Sequence, residues 1–224
     1  MRAIMAGEVL VNGQKAEKAG FQVKKEDIIT LAVPACPYVS RAGIKLKGAL
    51  DAFGISPKGR ICLDVGVATG GFTDCFLQEG AEKVYAVDVG EGQLHEKLKK
   101  DPRVLFRPQT NARYLRPEDF PEKPVLCAID VSFISLKLIL PPVFSVTAGK
   151  AEIIALIKPQ FELQARDLRK GIVKDEKTRA AAADELRLFV RNNYPGIEDR
   201  SLKDSPLRGT HGNLEFLWYL KKLQ

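Results

Sequence analysis

The sequence predicts an α/β fold, a mainly parallel sheet with helices on both faces, preceded by a small, truncated α+β module. Three observations carry this. From residue 60 onward, short apolar runs alternate with helical stretches, the pattern of a parallel sheet covered on both sides. The run "CLDVGVATGGFTDCF", residues 62–76, passes from an apolar strand through a glycine turn into a helix start. Asp88 ends the next apolar run roughly 20 residues further on, where a carboxylate can hold a ribose in nucleotide-binding α/β folds.

The elements follow in order. "MRAIMAGEVLVNGQKAEKAGFQVKKEDIITLAV" carries β-type runs at Val9 to Val11 and Ile28 to Val33, and "VNG" before a polar turn is a hairpin signal. In "PACPYVSRAGIKLKGALDAFGISPKG", Pro34 and Pro37 mark a linker, and Ser40 is placed to cap a helix reaching about Phe53. This divides the chain into a module at 1–34, a linker with a leading helix at 35–58, and the main domain at 59–224. Strands read in "RICLDVG", "KVYAVDVG", "RVLFRPQ", "VLCAID" and "EIIALIKP". Helices read from about Gly71, over "GQLHEKLKKD", and near Leu136 to Ser145. A long helix, "DEKTRAAAADELRLFVRNNY", precedes strands near "GIEDRSLKDS" and "LEFLWYLKK". Only the short "PLRGTHGN" joins those two, so they pair antiparallel.

Composition narrows the function. With 224 residues and 45% hydrophobic content the chain can fill a core without staples. Its four cysteines form no C-x-x-C pair and only two histidines are present, which points to a reducing compartment, no metal site and no serine-histidine triad. No segment approaches the roughly 18 consecutive apolar residues of a membrane span, and no secretory leader is recognisable. A soluble cytoplasmic protein is therefore expected. A net charge of +7 favours a polyanionic partner, with nucleic acid as the lead.

The glycine turn discriminates between cofactors. Gly66-Val67-Ala68-Thr69-Gly70-Gly71 does not match the G-x-G-x-x-G spacing that admits a pyrophosphate. It lies closer to the G-x-G-x-G loop of S-adenosylmethionine enzymes, with Ala68 at the middle position. That cofactor has no pyrophosphate, so a methyl side chain is more easily tolerated there. Asp64 and Asp88, in a strand-helix-strand context, set the turn apart from an ordinary one. A nicotinamide dehydrogenase is disfavoured by the same spacing.

Two charged residues end strands at the edge where α/β sheets bind ligands: Asp130 closes "VLCAID" and Lys158 closes "IIALIKP". Singly, each reads as a solvated strand end; together they read as a site. Glu215, among Leu214, Phe216 and Leu217, needs a partner if buried, and Lys158 is the expected one. Lys45 stands near Leu46, Ala49 and Leu50 at a spacing compatible with the cleft, although periodicity alone favours a solvated lysine.

"YVSRAGIKL", "DVGVATGGFTD", "YAVDVG", "IDVSFISL", "LIKPQFE" and "GTHGNLEFL" occur in order and resemble the hemolysin A (TlyA-type) methyltransferases, relatives of the FtsJ ribose 2′-O-methyltransferases. The resemblance spans essentially the whole chain. It implies a class I S-adenosylmethionine-dependent methyltransferase fold, Rossmann-like, with a seven-stranded sheet whose last strand is antiparallel. It also implies methylation of cytidine ribose 2′-hydroxyls in ribosomal RNA. The family's catalytic tetrad falls on Lys45, Asp130, Lys158 and Glu215. Its cofactor loop falls on Gly66 to Phe72, which includes Thr69, Gly70 and Gly71 and follows Asp64. Its ribose-binding acid falls on Asp88, and a further cofactor contact on Asn111 in "QTNARYL".

Residues 5–33 resemble the second half of an S-four-like RNA-binding module. The module's first basic helix is not matched before "IMAGEVLVNG", so a truncated module of reduced RNA affinity is expected. Ala68 is the other departure, since relatives often carry serine there. Arg41, Lys47, Arg113, Arg116, Arg166, Arg169 and Lys170 are the candidates for the RNA backbone. The expected partner is ribosomal RNA or a ribosomal subunit, with no membrane partner, and the protein is expected to be a monomer. A membrane-active hemolysin and a catalytically inactive RNA-binding assembly factor are the alternatives.

Overall fold

The computed structural model describes residues 9–16, 18, 20–31, 36–91, 93–164, 168, 171–173, 175–209 and 212–224. The chain divides into two compact units, Met1–Pro37 and Tyr38–Gln224. In the first unit, β1 (Val9–Val11), β2 (Gln14–Lys15) and β3 (Ile29–Leu31) form an antiparallel sheet of order β2-β1-β3. The predicted hairpin is present: Val11 pairs with Gln14, and the loop residues Asn12 and Gly13 stand at φ 53° and 81°. Both angles are positive, as a two-residue type I′ turn requires. The Asn12 side chain also donates to Asp27 and accepts the Ile28 N–H, which fastens the hairpin tip to the turn before β3. The run predicted to reach Val33 pairs as far as Leu31; residues 32–35 lie outside the described residues.

The second unit holds α1 (Ala42–Phe53), β4 (Ile61–Val65), α2 (Gly71–Gln78), β5 (Lys83–Val87), α3 (Glu96–Lys99), β6 (Val104–Arg107) and β7 (Leu126–Ile129). These are followed by α4 (Leu140–Val146), β8 (Ala151–Ile157), α5 (Pro159–Glu162), α6 (Glu176–Asn193), β9 (Ile197–Asp204) and β10 (Phe216–Lys222). The sheet has seven strands in the order β6-β5-β4-β7-β8-β10-β9. β6, β5, β4, β7 and β8 run parallel, and β10 is antiparallel to both β8 and β9, as predicted.

Strand alternation builds two apolar layers. Leu63, Val65, Cys127, Ile129 and Trp218 face α4 and α6, while Cys62, Leu126, Ala128, Leu156 and Leu217 face α1 and α2. Each fully buried leucine of this kind stabilises the fold by ~1.5–3 kcal/mol. Trp218 keeps its indole N–H satisfied on Asp199 Oδ1 at 2.9 Å, and Arg187 of α6 donates to the other oxygen of that carboxylate.

Three predicted details are corrected. Ser40 does not cap α1 with its side chain: Arg41 is the N-cap residue, no side chain caps it, and the Ser40 carbonyl takes the Gly43 N–H. The helix read over "GQLHEKLKKD" contracts to α3, capped by His95, because the His95 N–H bonds the Thr69 carbonyl and Leu94 packs against Gly70. The helix read near Leu136 to Ser145 splits into a 3-10 turn (Leu136–Leu138) and α4, whose start carries Pro141 and Pro142 with no N–H to continue the earlier ladder.

Candidate active site

The carboxyl ends of β4, β5, β7 and β8 meet along one edge of the sheet. Gly66 leaves β4 at φ 90°, and a Cβ there would stand 2.4 Å from the Asp130 carbonyl oxygen, so only glycine lets the ends of β4 and β7 approach. Ala68 follows at φ 46°, a left-handed backbone that costs a non-glycine residue ~1–2 kcal/mol. Asp88 holds it there. Its Oδ2 accepts the Ala68 N–H at 2.7 Å and its Oδ1 the Gly90 N–H at 2.7 Å. A carboxylate offers about four acceptor positions, so two remain for ribose hydroxyls.

A cavity of about 490 Å³ opens over this turn, lined among others by Gly66, Ala68, Asp88, Asn111, Asp130 and Phe133. Its size lies within the range of small-molecule sites. Asn111 also accepts the Arg113 N–H, which caps the 3-10 turn Ala112–Tyr114. A smaller cavity of about 130 Å³ is lined by Ser40, Thr69, Phe72, Asp130, Ser132 and Lys158 together with the turn. Gly66, Ala68, Asp130 and Ser132 belong to both linings, so the two spaces meet at the end of β7. The donors suit a nucleoside-bearing cofactor: a ribose-type carboxylate on one wall, apolar Val87 and Ile139 on another, and the cradle that a Cβ at Gly66 would fill.

Asp64, Gly70 and Gly71 line neither cavity. Gly70 packs against Leu98 and Gly71 against Ser40. Asp64 is fully buried and bonded by the Thr73 hydroxyl at 2.6 Å, while its Oδ1 has no hydrogen-bond partner among the described residues. Burial pushes its carboxyl from 3.8 up to about 7, against the Thr73 hydrogen bond and with help from Asp130 and Asp88. The folded state therefore keeps a proton that the unfolded chain releases near pH 4. The resulting stabilisation is complete below that pH and is lost as pH rises through about 7. The urea midpoint should fall between pH 5 and pH 8, and Asp64→Asn should flatten that fall. Parallel pH dependences in the two proteins would count against Asp64 as the titrating group.

The charged tetrad forms two pairs rather than one cluster. Lys158 Nζ lies 2.6 Å from Asp130 Oδ1 and donates to Ser132 Oγ at 2.8 Å. Lys45 Nζ lies 2.5 Å from Glu215 Oε2, with side chains 11% and 2% exposed. The expected Glu215–Lys158 pairing is thus corrected: the partner of Glu215 is Lys45. The reason is strand parity. Leu217 packs in the layer under α1, so Glu215, two residues earlier, points toward the same helix and meets Lys45 there, while Lys158, which shares that parity, is taken up by Asp130 and Ser132. Lys45 lies on the buried face of α1, not on the solvated face that periodicity favoured, and neither it nor Glu215 lines either of these two cavities.

The RNA candidates among the described residues have separate surroundings. Arg41 is exposed at the start of α1, Lys47 is answered by Asp51 at 2.5 Å and Glu79 at 3.8 Å, and the Arg113 guanidinium lies over the Tyr114 ring. Arg116 is exposed, and Arg166, Arg169 and Lys170 lie outside the described residues. Ser132 and Phe133 were passed over in the sequence, yet both line the large cavity. The available signal was their place, the first residues beyond a strand-ending aspartate at the ligand edge.

A seven-stranded sheet with its last strand reversed, carrying a nucleoside-sized cavity beside a lysine-carboxylate pair, defines a Rossmann-like group-transfer enzyme. The chain belongs to the FtsJ-like methyltransferase family, whose pattern residues 38–222 match, and residues 2–29 match the S4 domain. It is 41% identical over 218 residues to the "16S/23S rRNA (cytidine-2'-O)-methyltransferase TlyA" of Mycobacterium tuberculosis, covering 96% of this chain and 81% of that protein. A solved structure described as a hemolysin from Streptococcus thermophilus superposes with TM-score 0.86 at 42% identity, over 99% of this chain and 81% of that one. A SAM-dependent methyltransferase from Aquifex aeolicus shares the fold, with TM-score 0.55 at 18% identity over 82% and 94% of the two chains.

Proposed function

We propose that this protein transfers a methyl group from S-adenosylmethionine to a cytidine ribose 2′-hydroxyl of ribosomal RNA, in the cytoplasm, on free RNA or a ribosomal subunit. One observation carries the reading: Lys158 and Asp130 are the two ionisable residues lining the small cavity, and that cavity opens onto the cofactor-sized one. Family membership and the name of the 41%-identical relative support the same chemistry. When bound, the cofactor supplies an electrophilic sulfonium methyl for in-line displacement.

The chain's own residues then divide the work. Asp88 and Asn111 hold the nucleoside part in the large cavity. Lys158 as an ammonium has three N–H donors. Ser132 takes one of them and the Asp130 carboxylate pairs with the ammonium at 2.6 Å without an aligned hydrogen bond, which leaves donors to orient the incoming hydroxyl oxygen and to meet its developing negative charge. The proton lost from the hydroxyl passes to the Asp130 carboxylate, since a fully protonated ammonium has no lone pair to accept it. Lys45 and Glu215 hold each other where β10 enters beside the end of β8. Residues 1–34 serve as the RNA-binding module, 35–58 as linker and leading helix, and 59–224 as the catalytic domain. Arg41, Lys47, Arg113, Arg166, Arg169 and Lys170 contact phosphates, a contribution that rising salt weakens.

The test is tritium transfer from labelled S-adenosylmethionine to unmodified ribosomal RNA, with the product mapped by mass. A 2′-O-methylcytidine is expected. Asp88→Ala should weaken cofactor binding by about tenfold or more in calorimetry, since it removes charge-assisted hydrogen bonds and loosens the Ala68 turn. No labelled RNA would overturn the reaction, and unchanged affinity would remove Asp88 from the site.

A further inference from the structure

Glu162 ends "LIKPQFE", one turn beyond Lys158, and lines neither cavity. Both of its oxygens are spent on the loop that follows β7. Oε1 accepts the Leu136 N–H at 2.9 Å and Oε2 the Ser135 hydroxyl at 2.5 Å. Ser135 Oγ in turn accepts the Lys137 N–H, which caps the 3-10 turn beginning there. Burial raises its carboxyl above the ordinary value, against the hydrogen bonds from Ser135 and Leu136.

The two segments 130–136 and 158–162 are laced along their length. Lys158 binds Asp130 and Ser132, the Phe161 ring lies 5.0 Å from that of Phe133, and Glu162 closes the far end on Ser135 and Leu136. The loop needs such a closure. Phe133 stands at φ 63° and is 91% exposed, a left-handed backbone that a bulky residue keeps only where its surroundings over-determine it. Burial of the ring supplies little of that constraint, and the contacts of Lys158, Phe161 and Glu162 along the loop stand in its place.

We propose that Glu162 is a positioning residue for the transfer reaction: it latches loop 130–136 so that Asp130 and Ser132 hold Lys158 at the reacting position. The proposal rests on the methyl-transfer reading above. A displacement of about 1 Å at a reacting centre can cost a hundredfold in rate, so a latch outside the cavity is kinetically visible.

The full chain is compared with Glu162→Ala and Glu162→Gln in tritium transfer, with thermal melting and amide exchange at Leu136 measured on the same samples. Glu162→Ala should lower kcat by about 10–100-fold with little change in KM for RNA, and should speed Leu136 exchange. Glu162→Gln should restore most of kcat, because its carbonyl still accepts from Leu136 and its amide can donate to Ser135. Unchanged kcat in the alanine variant overturns the proposal. So does a loss that tracks the melting temperature and is not rescued by glutamine. If the unaltered protein methylates no RNA, the proposed function fails by itself, and unchanged Leu136 exchange in Glu162→Ala then decides separately against the latch.

Discussion

Lys158→Ala is expected to abolish methyl transfer to ribosomal RNA while S-adenosylmethionine still binds. Lys158 lines the small cavity and not the large one, so its removal empties the reacting end without touching Asp88 or Asn111. A positioned group that handles a proton contributes roughly 10²–10⁴ in rate, and the loss should be at least of that order. Lys158→Arg should not rescue. A planar guanidinium has a different donor geometry from an ammonium and cannot reproduce the contacts to Asp130 and Ser132. Rates are read by tritium transfer and binding by calorimetry. Near-normal transfer would remove Lys158 from the chemistry, and lost cofactor binding in a folded variant would make it a binding residue instead.

Glu215→Ala should produce the largest loss of stability. It leaves the Lys45 ammonium buried with its carboxylate gone, and breaking a buried pair from one side costs about 3–5 kcal/mol. For a unit of this size each kcal/mol is worth ~2–4 °C, so melting should fall by roughly 6–20 °C. The double variant Lys45→Met with Glu215→Leu replaces the pair by apolar volume and should recover most of that loss. Transfer should stay low in the double variant, because the pair stands where β10 enters beside the end of β8, next to Lys158. A double variant that is both stable and fully active would reduce Lys45 and Glu215 to a structural pair.

Much of the architecture was legible because it rests on local pattern. Apolar runs bounded by helical stretches have few alternatives to a parallel sheet, and the short "PLRGTHGN" connection left β9 and β10 little choice but an antiparallel pairing. The Asn12-Gly13 turn was equally readable, since few residue pairs tolerate two positive φ values. Helix ends were read less well. His95 and Leu94 shortened α3 through contacts with a turn some 25 residues earlier in the chain, which no window of neighbouring residues contains.

The candidate site shows the same division. Sequence by itself determined the α/β class, the glycine turn with its acid at Asp88, and the charged ends at Asp130 and Lys158, because each follows from residue types at fixed offsets along the chain. Only the tertiary structure decided the partners. Lys45 and Glu215 are 170 residues apart and meet because β10 inserts beside β8 with the parity that turns Glu215 under α1. The burial of Asp64, and the latch of Glu162 on Ser135 and Leu136, are likewise products of packing. A charged side chain's partner is set by which elements pack against it, and that information is held by the fold as a whole and not by any one stretch of sequence.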